Sequence, residues 1–415
     1  MTIAATAQHG VRRWAILAVG LLGQAATCLF LYGLPMVLPA LREQDGVSLT
    51  TAGVIVGAPS VGLLCTLIAW GAAADRFGER RVMALGLALA AVLLVGATQV
   101  HGVVELAVVL GAAGAAAGSV NAASGRLVMG WFAGHERGFA MGVRQTAQPL
   151  GVAVAALTLP SLSHHVGVRH AMFLPALACG VMAVLVMLIA IDPTRPARVS
   201  GQPTASPYRG GVLWRVHLSS AALVVPQFAV AGFTLVYLVD QRGWSAVDAG
   251  RLVFCAQLAG AAGRIGSGVW SDRIGSRLRP MRQLAVASAA VMLVLCLGAA
   301  AHSWIVIVGF VVGAIVTVAD NGLAFTAVAE MAGTAWAGRA LGVQNTGQNV
   351  AAGLTPAVVG AIVTGCGYSW AFAIVAIAPL LAVGLIPVFG EAAAATLNPP
   401  CAASSDTSET GAPSR

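Results

Sequence analysis

The chain has 415 residues, of which 58% are hydrophobic and only 9% are charged. Soluble domains run near 25% charged, so this composition excludes a water-soluble protein and requires lipid around most of its surface. The formal net charge is +8 and every cation is an arginine, but the arginines sit in short segments between apolar runs, which reads as membrane topology and not as nucleic-acid binding.

A hydrocarbon core of about 30 Å takes about 20 apolar residues per helix. Runs of that kind predict an all-α membrane protein of twelve transmembrane helices, numbered here 1 to 12, at 14–38, 51–73, 82–100, 104–128, 141–161, 170–191, 213–239, 249–271, 283–301, 303–327, 341–364 and 369–390. The first run is too long for a signal-peptide core and no small-residue cleavage site follows it, so it reads as a retained helix. Residues 1–13 form an N-terminal tail. The stretch 192–212, rich in Pro, Gly and Arg, divides six helices (14–191) from six more (213–390). The tail 391–415 is rich in Ser, Thr, Ala and Pro and is expected to be disordered.

Sixteen of the 23 arginines fall on the tails and loops of one side, and four (Arg42, Arg169, Arg242 and Arg251) on the other. That bias places both termini in the cytoplasm of a bacterial inner membrane. Arg126, Arg144 and Arg264 remain inside helices. The seven cysteines show no paired spacing, so neither a disulfide framework nor a zinc site follows.

The two halves repeat each other. Gly46, Ser48, Gly53, Gly71, Asp75, Arg76 and Gly78 recur as Gly243, Ser245, Gly250, Gly268, Asp272, Arg273 and Gly275. Further on, Asn121, Gly142, Val143, Thr146 and Gln148 recur as Asn321, Gly342, Val343, Thr346 and Gln348. Two parallel six-helix halves are a transporter architecture, with the solute site near the bilayer midplane between them.

At this point the residues resemble the major facilitator superfamily. The segment from Gly71 to Arg81, with Asp75, Arg76, Gly78 and Arg80, is similar to that family's signature between helices 2 and 3, and Gly268 to Arg277 is a second copy. The run Trp131 to Gly142 is similar to the family's passage from helix 4 into helix 5. The resemblance implies two pseudo-symmetric halves that rock about a central site. Asp75, Arg76, Arg126, Asp272 and Arg273 would then be gate residues at the cytoplasmic end, with Arg126 pairing with Asp75. Two features depart from the family's proton-coupled drug exporters. Helix 5 lacks their Gly-Pro pair between Thr146 and Val152, and helix 4 lacks an early arginine between Leu106 and Ala117.

Ionisable groups inside a span are functional candidates by default. Arg144 and Arg264 stand about 10 and 12 Å from the cytoplasmic ends of helices 5 and 8, at 1.5 Å per residue. Helices 5 and 8 are neighbours in the resembled fold. Their arginines are therefore expected to clamp a carboxylate or another oxyanion, whose geometry the guanidinium fork matches. Asp320 in helix 10 is the candidate for proton coupling, because a carboxyl shielded from water can hold a proton at neutral pH. The alternative is an ion pair with Arg264 or Arg126.

Uncharged polar residues supply candidate solute contacts: Gln145 and Gln148 in helix 5, Gln344, Asn345, Gln348 and Asn349 in helix 11, Tyr32 in helix 1, Gln227 in helix 7 and Gln257 in helix 8. Gln24 and Tyr237 belong to the same polar set, and bonding between helices is the competing role for all of them.

The sequence therefore predicts a secondary transporter of a small organic anion, coupled to protons, that works as a monomer in lipid. A multidrug antiporter of the same fold is the alternative. No catalytic set, phosphate-cradling loop or cofactor motif is present, so neither an enzyme nor an ATP-driven pump is expected. His164, His165 and His170 mark a weak metal candidate in one loop.

Overall fold

The computed structural model describes residues 2–193, 206–333 and 335–389. All of the regular structure among them is helical. Most of the linker and of the C-terminal tail, with Arg195, Arg198 and Arg415, lies outside the described residues.

Helix 1 (Thr2–Leu31) breaks at Gly33. Pro35 then forces a short 3-10 turn (Leu34–Val37), and Leu38–Asp45 continues beyond it. Helix 2 is Leu49–Phe77, helix 3 Glu79–Ala97 and helix 4 Val103–Met129. Helix 5 runs as Arg137–Gln145 and Ala147–Val166, and helix 6 as Val168–Ala171 and Phe173–Ile189. In the second half, helix 7 is Val212–Arg242, helix 8 Ala246–Ile274 and helix 9 Leu278–Ala300. Helix 10 is Ile305–Val316 and Asn321–Ala332. Helices 11 and 12 lie within Ala337–Val375 and Ile377–Leu385, divided where Gly367 leaves the helical region.

Among the described residues, ten helical runs are long and apolar enough to cross a membrane. One of them, Ala337–Leu385, turns at Gly367 (φ 85°) and so supplies two crossings. The twelfth crossing is helix 5, whose first third carries Arg137, Arg144 and Gln145 and is too polar to register by hydropathy. Apolar residues such as Leu157, Leu188, Val92 and Leu297 are 68–82% exposed, which in a folded chain marks the face that lipid covers.

The repeat is physical as well as textual. Gly46 and Gly243 both end a helix in the left-handed region, at φ 63° and 67°. Ser48 and Ser245 each cap the next helix, accepting from the N–H three residues on at 3.1 Å. Gly167 and Gly367 turn helix 5 into helix 6 and helix 11 into helix 12 at φ 86° and 85°.

Helices 2, 5 and 11 run farther than their apolar stretches predicted, reaching Phe77, Arg137 and Ala337 at one end. Those extra turns are polar. There helix 2 packs on helix 11 and helix 5 on helix 8, where the signature residues gather, and hydropathy alone does not see these turns.

Candidate functional site

The two halves meet most tightly at the end that carries the signature. A Cβ on Gly71 would sit 2.3 Å from the Gly338 carbonyl oxygen, and one on Gly268 would sit 2.1 Å from that of Gly138. Helix 2 therefore touches helix 11, and helix 8 touches helix 5, backbone against backbone. Toward the other end of the same helices, Gly53, Gly57, Gly250 and Gly353 meet nothing within 4 Å. The halves are joined at the signature end and part beyond it.

Each crossing is locked by an aspartate on a helix N-terminus, where backbone N–H groups have no partner within the helix. Asp75 accepts from Gly338 N and Arg339 N at 2.9 and 3.1 Å. Asp272 accepts from Gly138 N and Phe139 N at 2.9 and 2.7 Å. Arg126 balances the first acid at 2.5 Å and also bonds the fully buried Glu79. Arg277, from the turn after helix 8, balances the second at 2.5 Å and reaches Glu330.

Arg76 and Arg273 are corrected here. Both are exposed and take no part in the lock, and Arg76 lies over the neighbouring Phe77 ring. One residue beyond the aspartate is a 100° turn of the helix, which carries each arginine off the interface. Arg277, Glu79, Arg137 and Glu330 are the ion-pair partners at this end that sequence reasoning missed.

Beyond the locks lies a polar cavity of about 50 Å³. Gln24, Asn121, Gln145 and Gln148 line it from the first half, and Gln227, Asn321, Asn345, Gln348 and Asn349 from the second. The amides pair symmetrically. Gln24 Nε2 donates to Asn121 Oδ1 at 3.3 Å between helices 1 and 4, and Asn321 Nδ2 donates to Gln227 Oε1 at 2.9 Å between helices 10 and 7. Tyr32 OH reaches Asn349 Oδ1 at 3.5 Å, a thin bridge between the halves.

Arg264 is the charged group on the cavity wall. Its guanidinium donates to the Gln145 carbonyl at 2.7 Å, its one hydrogen bond among the described residues. Arg144 stands behind the wall instead, 1% exposed, with Nε and Nη2 on Ser124 Oγ at 3.0 and 2.7 Å and Nη1 on Gln145 Oε1 at 2.8 Å. The expected two-arginine clamp is therefore a single open guanidinium with a second one held in the packing beside it. Asp320 is 2% exposed and forms no ion pair among the described residues, with Oδ2 lacking any hydrogen-bond partner. It remains within electrostatic reach of Arg264.

Three other expected contacts lie elsewhere. Gln257 is exposed in an apolar crevice lined by Val230, Leu252 and Phe310. Gln344 accepts at Oε1 in a 2.5 Å contact with His217, whose other nitrogen meets Tyr208 OH at 3.2 Å. Burial pushes the Tyr208 phenol up to about 12. Tyr237 is buried among Phe310, Tyr368 and Phe372. Among the described residues no His, Cys, Asp or Glu cluster could hold a metal, and His165 instead meets the Ser161 carbonyl.

The sequence profile described as Major Facilitator Superfamily matches residues 20–356. The uncharacterized MFS-type transporter Rv2994 of Mycobacterium tuberculosis is 44% identical over 379 residues, spanning 91% of this chain and 85% of that protein. The probable galactarate/D-glucarate transporter GudP of Bacillus subtilis is 25% identical over 338 residues, 71% of this chain and 73% of that one. Among solved structures, the human organic anion transporter MFSD10 superposes with a TM-score of 0.71 at 18% identity, over 90% of this chain and 99% of that one.

Proposed function

The chain belongs to the Major Facilitator Superfamily, and from that premise we propose that it carries a small organic anion by alternating access, coupled to protons. The observation that carries the reading is Arg264, the charged group on the wall of a cavity on which no acid stands. A guanidinium with donors free to turn to a guest favours a carboxylate in a partly desolvated site. The relative named for galactarate and D-glucarate supports the same solute charge.

Asp320 is the coupling group in this reading. A lone buried carboxyl beside Arg264 is costly while ionised, so proton uptake and solute charge can be linked through the field the two share. The arginine bias supports a signature end at the cytoplasm of a bacterial inner membrane, with the cavity facing outward. Two fused halves complete one pathway, which supports a monomer.

The test is a thermal-shift panel on the purified chain, with small carboxylates, inorganic oxyanions, neutral sugars and tetraphenylphosphonium. A ligand that binds only the folded state stabilises it by about 2.7 kcal/mol at a hundredfold excess over Kd. Carboxylates should stabilise the wild type and lose that effect in Arg264→Gln. Stabilisation by tetraphenylphosphonium alone, abolished in Asp320→Asn, would replace the anion reading with drug–proton antiport.

A further inference from the structure

We infer that the solute is a hydroxylated monocarboxylate, one acid group held by Arg264 and at least one hydroxyl donated to Gln24. This rests on the anion reading above and narrows it.

The cavity's amides are mostly satisfied by each other. Gln348 Nε2 donates to Ser220 Oγ and Asn321 Oδ1, at 2.7 and 3.2 Å. Asn345 Nδ2 donates to the Leu341 and Asn121 carbonyls, at 2.8 and 3.2 Å. Among the described residues that line the cavity, one fully buried side-chain acceptor is left without a partner. Gln24 is 8% exposed and lines the cavity, yet its Oε1 is buried without a hydrogen-bond partner. A buried acceptor left alone is penalised, and only a donor relieves it. A carboxylate has no proton to give, whereas a hydroxyl has one. Gln148 lines the same space and makes no hydrogen bond among the described residues, so it offers a further donor and acceptor to the same hydroxyl-bearing skeleton.

The count of charges comes from the arginines. Arg144 already spends Nε, Nη1 and Nη2 on Ser124 and Gln145. Arg264 spends one N–H and keeps the rest of its fork for the cavity. One open guanidinium matches one carboxylate, and a second carboxylate on the guest would meet amides and no cation. Phe228, Phe325 and Val224 supply apolar wall for the carbon skeleton.

The experiment is isothermal titration calorimetry on the full chain in detergent, with D-gluconate, hexanoate, D-glucarate and D-glucose at equal ionic strength. Gluconate should bind at least about tenfold tighter than hexanoate, the factor expected when a buried acceptor gains its donor. Glucarate should bind no tighter than gluconate. In Gln24→Leu the preference for gluconate over hexanoate should be lost, with the thermal midpoint reporting that the variant is folded. Equal binding of gluconate and hexanoate by the wild type overturns the hydroxyl inference and leaves the anion reading standing. Tighter binding of glucarate overturns the single charge. Binding of glucose alone, or of nothing in the panel, removes both the anion reading and this inference. If Gln24→Leu does not fold, the wild-type ratios decide.

Discussion

At the scale of single residues, the signature separates into arginines that bear load and arginines that only mark a side. Arg126 holds two carboxylates, Asp75 and Glu79, in a site where all three are buried. Replacing it with Met removes the cation that bonds both buried carboxylates, and breaking a buried pair costs about 3–5 kcal/mol. Arg126→Met should therefore lower the thermal midpoint sharply, while Arg76→Gln, at an exposed position, should stay within about 0.5 kcal/mol of the wild type. A differential scan of both variants in one detergent checks the contrast. The sequence made Arg76 and Arg126 look alike because composition carries no angular information. The same blindness acted on Arg144 and Gln145. Adjacent residues stand 100° apart on a helix; Gln145 lines the cavity and Arg144 does not, and hydropathy does not say which of the two would. Gln24 and Asn121 were legible only as polar residues in apolar helices, where a bond between helices is the commoner role. They play that role and line the cavity as well.

At the scale of elements, the crossings depend on glycine. A Cβ on Gly338 would lie 2.4 Å from the Gly71 carbonyl, and one on Gly138 would lie 2.4 Å from that of Gly268. Gly138→Ala and Gly338→Ala should push the helix pairs apart at the signature end. Spin labels on Arg76→Cys and Arg273→Cys, in a background without other cysteines, should then report a longer separation. Gly232→Ala, where nothing lies within 4 Å, should leave it unchanged. The elements themselves were largely legible. Apolar runs in the sequence predict all twelve crossings, helix 5 at 141–161 included. The parts that escaped are the polar first turns of helices 5 and 11, which owe their order to the aspartates they meet and not to lipid.

At the scale of the whole molecule, the two locks are separate devices. Asp75 binds helix 11 and takes its base from helix 4, whereas Asp272 binds helix 5 and takes its base from the turn after helix 8. The hydrogen-bond and ion-pair partners described for the two are different residues, and independent sites add to within about 0.3–0.5 kcal/mol. The opening free energy gained in Asp75→Asn plus Asp272→Asn should therefore equal the sum of the single variants, read from the label populations. A shortfall or excess beyond that margin would mean that the halves transmit strain from one lock to the other.

The one-residue turn at Gly367 has a mechanical consequence. Residues 337–366 form a rod of about 44 Å at 1.5 Å per residue, and at its far end a single glycine joins it to helix 12. So short a hinge gives no slack, so the pair swings as one arm, and the Gly167 turn makes helices 5 and 6 the matching arm. Pulling an aspartate off the near end of such an arm moves the far end by leverage. Two such arms, gripped at one end and splayed at the other, have the geometry of tweezers.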